Sequence, residues 1–138
     1  MIIIRGRVTA GLGAASETLQ YQMPYFAIHF PEVTVCHRAS INVHLECPLL
    51  ILNPDHTTPL IPWAGPPGEM FSFLRIRLEC PLNSELRQAW IYIPHGSPHY
   101  HKFVEVEVVT KWIDNLELGM PCQIHIDKDY REQLVVTV

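Results

Sequence analysis

The chain has 138 residues, enough for one domain, and with 48% hydrophobic and 17% charged residues it has the makings of a packed core and is not intrinsically disordered. Ten Lys and Arg against fourteen Asp and Glu give a formal charge of −4, without the concentrated basic footprint of a sequence-independent nucleic-acid binder. Twelve prolines against seven glycines exclude long helical bundles, because proline removes a backbone donor and disrupts helix interiors and central strands.

Residues 2–9 are β-branched and read as a strand, followed by a small-residue loop over 10–16 and a short strand near 19–21. Pro24 is placed to open one or two helical turns that Pro31 stops. Over 41–47 the side chains alternate, Ile41, Val43 and Leu45 on one face and Asn42, His44 and Glu46 on the other. Residues 53–69 hold five prolines and two glycines and read as a long, stiff surface loop. Further strands are expected over 70–80, 88–93, 103–109 and 122–126. In the first of these, Leu74, Ile76 and Leu78 share one face and Phe71, Phe73, Arg75 and Arg77 the other. A short helix is expected over 112–118, ending at Gly119. A barrel domain over 1–126 then leaves a tail, 127–138, able to pair as an edge strand or with a second copy of the chain. The expected fold is therefore mainly β: a small closed barrel with one or two short helices, since closure removes the exposed edges of the sheet.

No segment approaches the run of about 18 apolar residues that a spanning helix needs, and the run 2–4 ends at Arg5, too short for a signal h-region. The expectation is a cytoplasmic chain that meets neither membrane nor nucleic acid. Cys36, Cys47, Cys80 and Cys122 form no C-x-x-C pair and read as reduced thiols packed as small hydrophobes, with a single disulfide as the alternative. A five-residue echo, Leu45-Glu46-Cys47-Pro48-Leu49 and Leu78-Glu79-Cys80-Pro81-Leu82, is too short to define a repeat protein.

An ordered set of motifs carries a resemblance. Gly6-Arg7-Val8-x-x-Gly11-Leu12-Gly13 is followed by Ala39-Ser40-Ile41-Asn42-Val43-His44-Leu45, then Ala89-Trp90-Ile91-Tyr92-Ile93-Pro94, His99, Phe103-Val104-Glu105-Val106 and Leu116-x-Leu118-Gly119-x-Pro121-Cys122. Over residues 2 to 126 this order resembles the archaeal CTP-dependent riboflavin kinases. The resemblance implies a six-stranded cradle-loop barrel that transfers a phosphoryl group from CTP to riboflavin, giving FMN. It places Gly11, Leu12, Gly13 and Ala14 in the phosphate loop, with Arg38 and His99 at the nucleotide. Ser40 and Asn42 match the family's Mg²⁺-binding Thr and Asn, and Glu105 would accept a hydrogen bond from a ribityl hydroxyl or act as the base on the attacking one. A hydroxyl and an amide oxygen two residues apart on a strand share a face and are hard donors suited to Mg²⁺. Ala15 and Ala39 stand where the family has glycine, so a homologue that keeps the barrel with altered or lost activity is the companion reading.

Two other classes compete. His99, His101 and Glu105 spell H-x-H-x-x-x-E and resemble the first metal motif of cupins, whose ligand set suits Fe²⁺, Mn²⁺ or Zn²⁺. A β-prone tail and a proline-rich loop would equally serve a non-catalytic homo-oligomer.

Overall fold

The computed structural model describes residues 2–10, 16–51, 53–96, 102–127 and 134–136. Among the described residues there are eight strands: β1 (Ile2–Ala10), β2 (Ile41–Ile51), β3 (His56–Thr57), β4 (Phe71–Glu79), β5 (Arg87–Pro94), β6 (Lys102–Thr110), β7 (Pro121–Ile126) and β8 (Leu134–Val136). One helix, α1 (Ser16–His29), is followed by a single 3-10 turn over Pro31–Val35. Six strands run in the order β1-β7-β4-β5-β6-β2, every neighbouring pair antiparallel, and β1 pairs β2 to close the ring. The protein is thus a closed six-stranded antiparallel barrel. Among the described residues no helix is long and apolar enough to cross a membrane.

The alternation expected of β2 and β4 is what fills the barrel. Ile41, Val43, Leu45, Leu74, Ile76 and Leu78 meet Ile4, Val8, Ile91, Ile93, Val106, Val108, Ile124 and Ile126 in one buried cluster. Their partners in the two-residue period, Asn42, His44, Arg75 and Arg77, point outward. β2 runs on through Pro48 to Ile51, with a register shift between His44 and Leu49 where the ladder passes the proline. β8 pairs antiparallel with Leu49–Ile51, covering that end of β2.

A second core lies outside the barrel. Phe71, Phe73, Trp90, Tyr92 and Val109 on the outer face of β4-β5-β6 are covered by Leu19, Met23 and Phe26 of α1 and by Phe30, Val33 and Cys36 beyond it. This overturns two expectations. Residues 19–21 are helical rather than a strand, and the helix starts at Ser16, with Pro24 in its interior rather than at its start. Proline in a helix interior costs about 3 kcal/mol, yet Leu19, Met23, Phe26 and Phe30 recur at helical spacing and bury completely or nearly so, which outweighs it. The helix expected over 112–118 is also absent; turns replace it. Asn115 adopts a left-handed φ of 59°, Ile113 drops into the barrel core, and Gly119 (φ 82°) donates its N–H to Val8 O across the barrel end. The long 53–69 loop is tied down by β3 on β4 and by the Ile61–Glu69 bridge.

Candidate functional site

Ser40 and Asn42 are brought together, as the spacing requires, on the outer face at the start of β2. Register then adds a third group. Asn42 sits directly opposite Glu107 of β6, and Glu107 sits opposite Tyr92 of β5. The buried Ser40 hydroxyl donates to Glu107 Oε1 at 3.1 Å. The Tyr92 hydroxyl donates to Gln22 Oε1 of α1 at 2.6 Å. One row across the outer wall therefore reads Asn42, Glu107, Tyr92, Phe73, polar at one end and packed under α1 at the other.

The electrostatics of this row follow from its half-burial. Desolvation pushes the Glu107 carboxyl above the ordinary carboxylate range; the Ser40 hydrogen bond pulls it partly back, and the Glu105 charge pushes it up again. Burial first, and then the Glu107 charge, push the Tyr92 phenol upward. Glu107 is thus a carboxylate held at a cost, beside two neutral oxygen donors.

The other expected site residues fall as follows. Glu105 is exposed and lies opposite His44, one step along β6 from the row and not at Ser40 and Asn42. Arg38 is exposed, two residues before Ser40. Gly11, Leu12, Gly13 and Ala14 of the expected phosphate loop lie outside the described residues, as do His99 and His101. The loop's two anchors are placed: Ala10 pairs with Asn42, and Ser16 opens α1, whose Gln22 reaches Tyr92. Among the described residues no three His, Cys, Asp or Glu side chains gather as a metal site. Ser40, Asn42 and Glu107 are a different kind of set, oxygen donors of which only one is a carboxylate, and they suit a hard cation that keeps water and phosphate ligands. Glu107 was within reach of sequence reasoning: Glu105 and Glu107 share a face, and only the β2–β6 register shows which one meets Asn42.

A separate groove of about 480 Å³, lined by Asp55, Arg75, Ile76, Arg77, Gln88 and Asp127, is charged but internally matched. Arg75 makes a two-pronged ion pair with Glu32 at 2.6 and 2.8 Å, and Arg77 pairs with Asp127 at 2.7 Å. Its guanidiniums are already committed to carboxylates, which makes it a poorer anion site than its arginine count suggests.

Because Glu107 binds its proton more tightly in the folded chain than in the unfolded one, protonation adds stability that is complete below its ordinary value of 4.5 and lost as pH rises through the folded value. Glu107→Gln keeps an acceptor for Ser40 and removes the charge. Its expected effect is a melting temperature about 2–4 °C higher than wild type at pH 7–8, equivalent to about 1 kcal/mol, with the difference closing near pH 4. Thermal melts across that range check this, and a lower melting temperature at pH 7 would show that the charged carboxylate stabilises the fold.

No protein-family model matches the sequence, and no curated protein matches it at a significant level.

Proposed function

We propose that the chain is a Mg²⁺-dependent phosphotransferase of the riboflavin kinase type, with CTP as donor and riboflavin as acceptor. The observation that carries the proposal is the convergence of Ser40, Asn42 and Glu107 on one wall of a closed six-stranded barrel, beside the strand end that leads into residues 11–15. Ser40 and Asn42 would hold Mg²⁺, which supplies charge neutralisation for the donor phosphates. The Ser40 hydroxyl donates to Glu107 and keeps its lone pairs for a cation. Glu107, rather than Glu105, is then the carboxylate placed to take a proton from the acceptor hydroxyl, and its upward shift makes it a stronger base than an ordinary carboxylate. Phosphoryl transfer asks for little else from the protein beyond positioning. The raised carboxyl supports this reading further, because groups held at a cost to stability concentrate at working sites.

Incubation with riboflavin, Mg²⁺ and CTP is expected to yield FMN, resolved chromatographically. Glu107→Gln is expected to lower turnover by about 100-fold or more while raising the melting temperature, an opposition that a purely structural residue would not show. Mg²⁺ with CTP at 100 times its dissociation constant adds about 2.7 kcal/mol of stability to the wild type. No FMN with CTP or ATP, together with no nucleotide-dependent rise in melting temperature, overturns the proposal.

A further inference from the structure

Three sulfur-bearing side chains gather at one end of the barrel. Glu79 of β4 pairs with Gln123 of β7, so the next step of the antiparallel register sets Cys80 against Cys122, each thiol acting on the other. Met120, just before β7, brings its Sδ to 3.7 Å from Cys80 Sγ. Both thiols are buried in the barrel core, and Met120 packs against that core half-exposed, which leaves it at the mouth. We propose that Cys80, Cys122 and Met120 form a three-sulfur site for a soft monovalent cation, Cu(I).

The donor chemistry selects the ion. Two thiols and a thioether are soft ligands, the set that favours Cu(I) over hard cations such as Mg²⁺. With metal–sulfur bonds of about 2.3 Å, a trigonal ion needs its sulfurs about 4 Å apart, close to the 3.7 Å between Cys80 Sγ and Met120 Sδ. Zinc normally takes four ligands, and among the described residues no further His, Cys, Asp or Glu completes such a set. Charge balances as well. Both thiol protons pass to solvent on binding, leaving two thiolates and one monovalent cation, and the Arg87 guanidinium acts on Cys80 to offset the remaining negative charge. A buried sulfur pair with one half-exposed donor offers the ion an entry path without opening the barrel wall.

The test is anaerobic titration of the reduced protein with Cu(I) against a chromophoric Cu(I) chelator, following sulfur-to-copper charge-transfer absorption. One ion per chain and release of two protons are expected. Cys122→Ala is expected to weaken binding by more than the about 10- to 100-fold typical of an outer-shell partner, and Met120→Leu by about 10-fold, with both variants still melting cooperatively. Because Met120 is half-exposed and Leu conserves its volume, that variant keeps the test valid even where Cys122→Ala unfolds. Cys36→Ser, which alters a thiol of the outer core beneath α1 rather than of the barrel interior, is expected to bind as wild type. Failure to compete with the chelator, affinity unchanged in Met120→Leu, or loss of binding in Cys36→Ser instead overturns the site.

Discussion

Phe26→Ala is expected to cost about 3–5 kcal/mol, a large part of the 5–15 kcal/mol by which a domain of this size is stable. Phe26 is fully buried, and its ring meets Phe71 and Phe73 edge-on at centroid distances of 5.2 and 5.1 Å, with Tyr92 at 6.4 Å. Truncation removes the side chain that pins α1 to the outer wall and leaves a hole among rigid rings that relax poorly. At about 2–4 °C per kcal/mol, the melting temperature falls by roughly 10 °C. Ile28→Ala, two residues on and 75% exposed, is the matched control and is expected to change stability by less than about 0.5 kcal/mol. Equal effects from the two variants would mean that α1 is not docked as described. The variant also bears on the site. Gln22, one turn before Phe26, holds the Tyr92 hydroxyl beside Glu107, so on the proposed phosphotransferase reading loosening α1 is expected to weaken nucleotide-dependent stabilisation beyond the loss of fold stability itself.

The helix is also where the sequence was hardest to read. Strand alternation is a two-residue signal that survives local noise: Leu74, Ile76 and Leu78 face the barrel and Phe71 and Phe73 face away, as the pattern implies. α1 has no comparable contrast. Tyr21 and Ile28 are exposed apolar residues on the wet side, Gln22 is a polar residue on the buried side, and Pro24 interrupts the run. Its helical state is set by the aromatic outer wall of β4 and β5, a surface that exists only once the sheet has formed. The 112–118 segment errs in the opposite direction. Its Gly119 stop signal is real, with φ at 82°, but Ile113 gains more from entering the barrel than from completing a helical turn.

The candidate site was legible to the same depth. Two polar residues two apart on a strand share a face whatever else happens, so Ser40 and Asn42 needed only the strand to be correct. Choosing between Glu105 and Glu107 needed the β2–β6 register, which a one-residue slip would reverse and which no local pattern states. The cost of holding Glu107 half-buried is likewise set by its surroundings: burial raises it, the Glu105 charge adds to it, and Ser40, 67 residues away in the chain, partly offsets it.

Gly6→Ala is expected to destabilise the barrel by about 3 kcal/mol, at the upper end of what overpacking costs, because it strikes the seam where the ring closes. Gly6 pairs with Leu45 of β2 on one side and Cys122 of β7 on the other. A Cβ there would come within 2.6 Å of Val43 Cγ1 and 2.7 Å of the His44 carbonyl oxygen, both closer than real contacts allow. The first clash is with a side chain and the second with backbone, and this separates two origins of the cost. Val43→Ala removes the first alone. In a double-mutant cycle, Gly6→Ala with Val43→Ala is expected to recover part of the loss but not all of it, leaving the share set by β1 and β2 lying too close at His44. Urea unfolding of the four proteins measures that coupling. Full recovery would place the whole penalty on Val43, and no coupling would place it on the backbone alone. Because Ala10 on the same strand stands opposite Asn42, a displaced β1 also shifts Asn42, so on the proposed phosphotransferase reading the variant is expected to lose nucleotide-dependent stabilisation even where it remains folded.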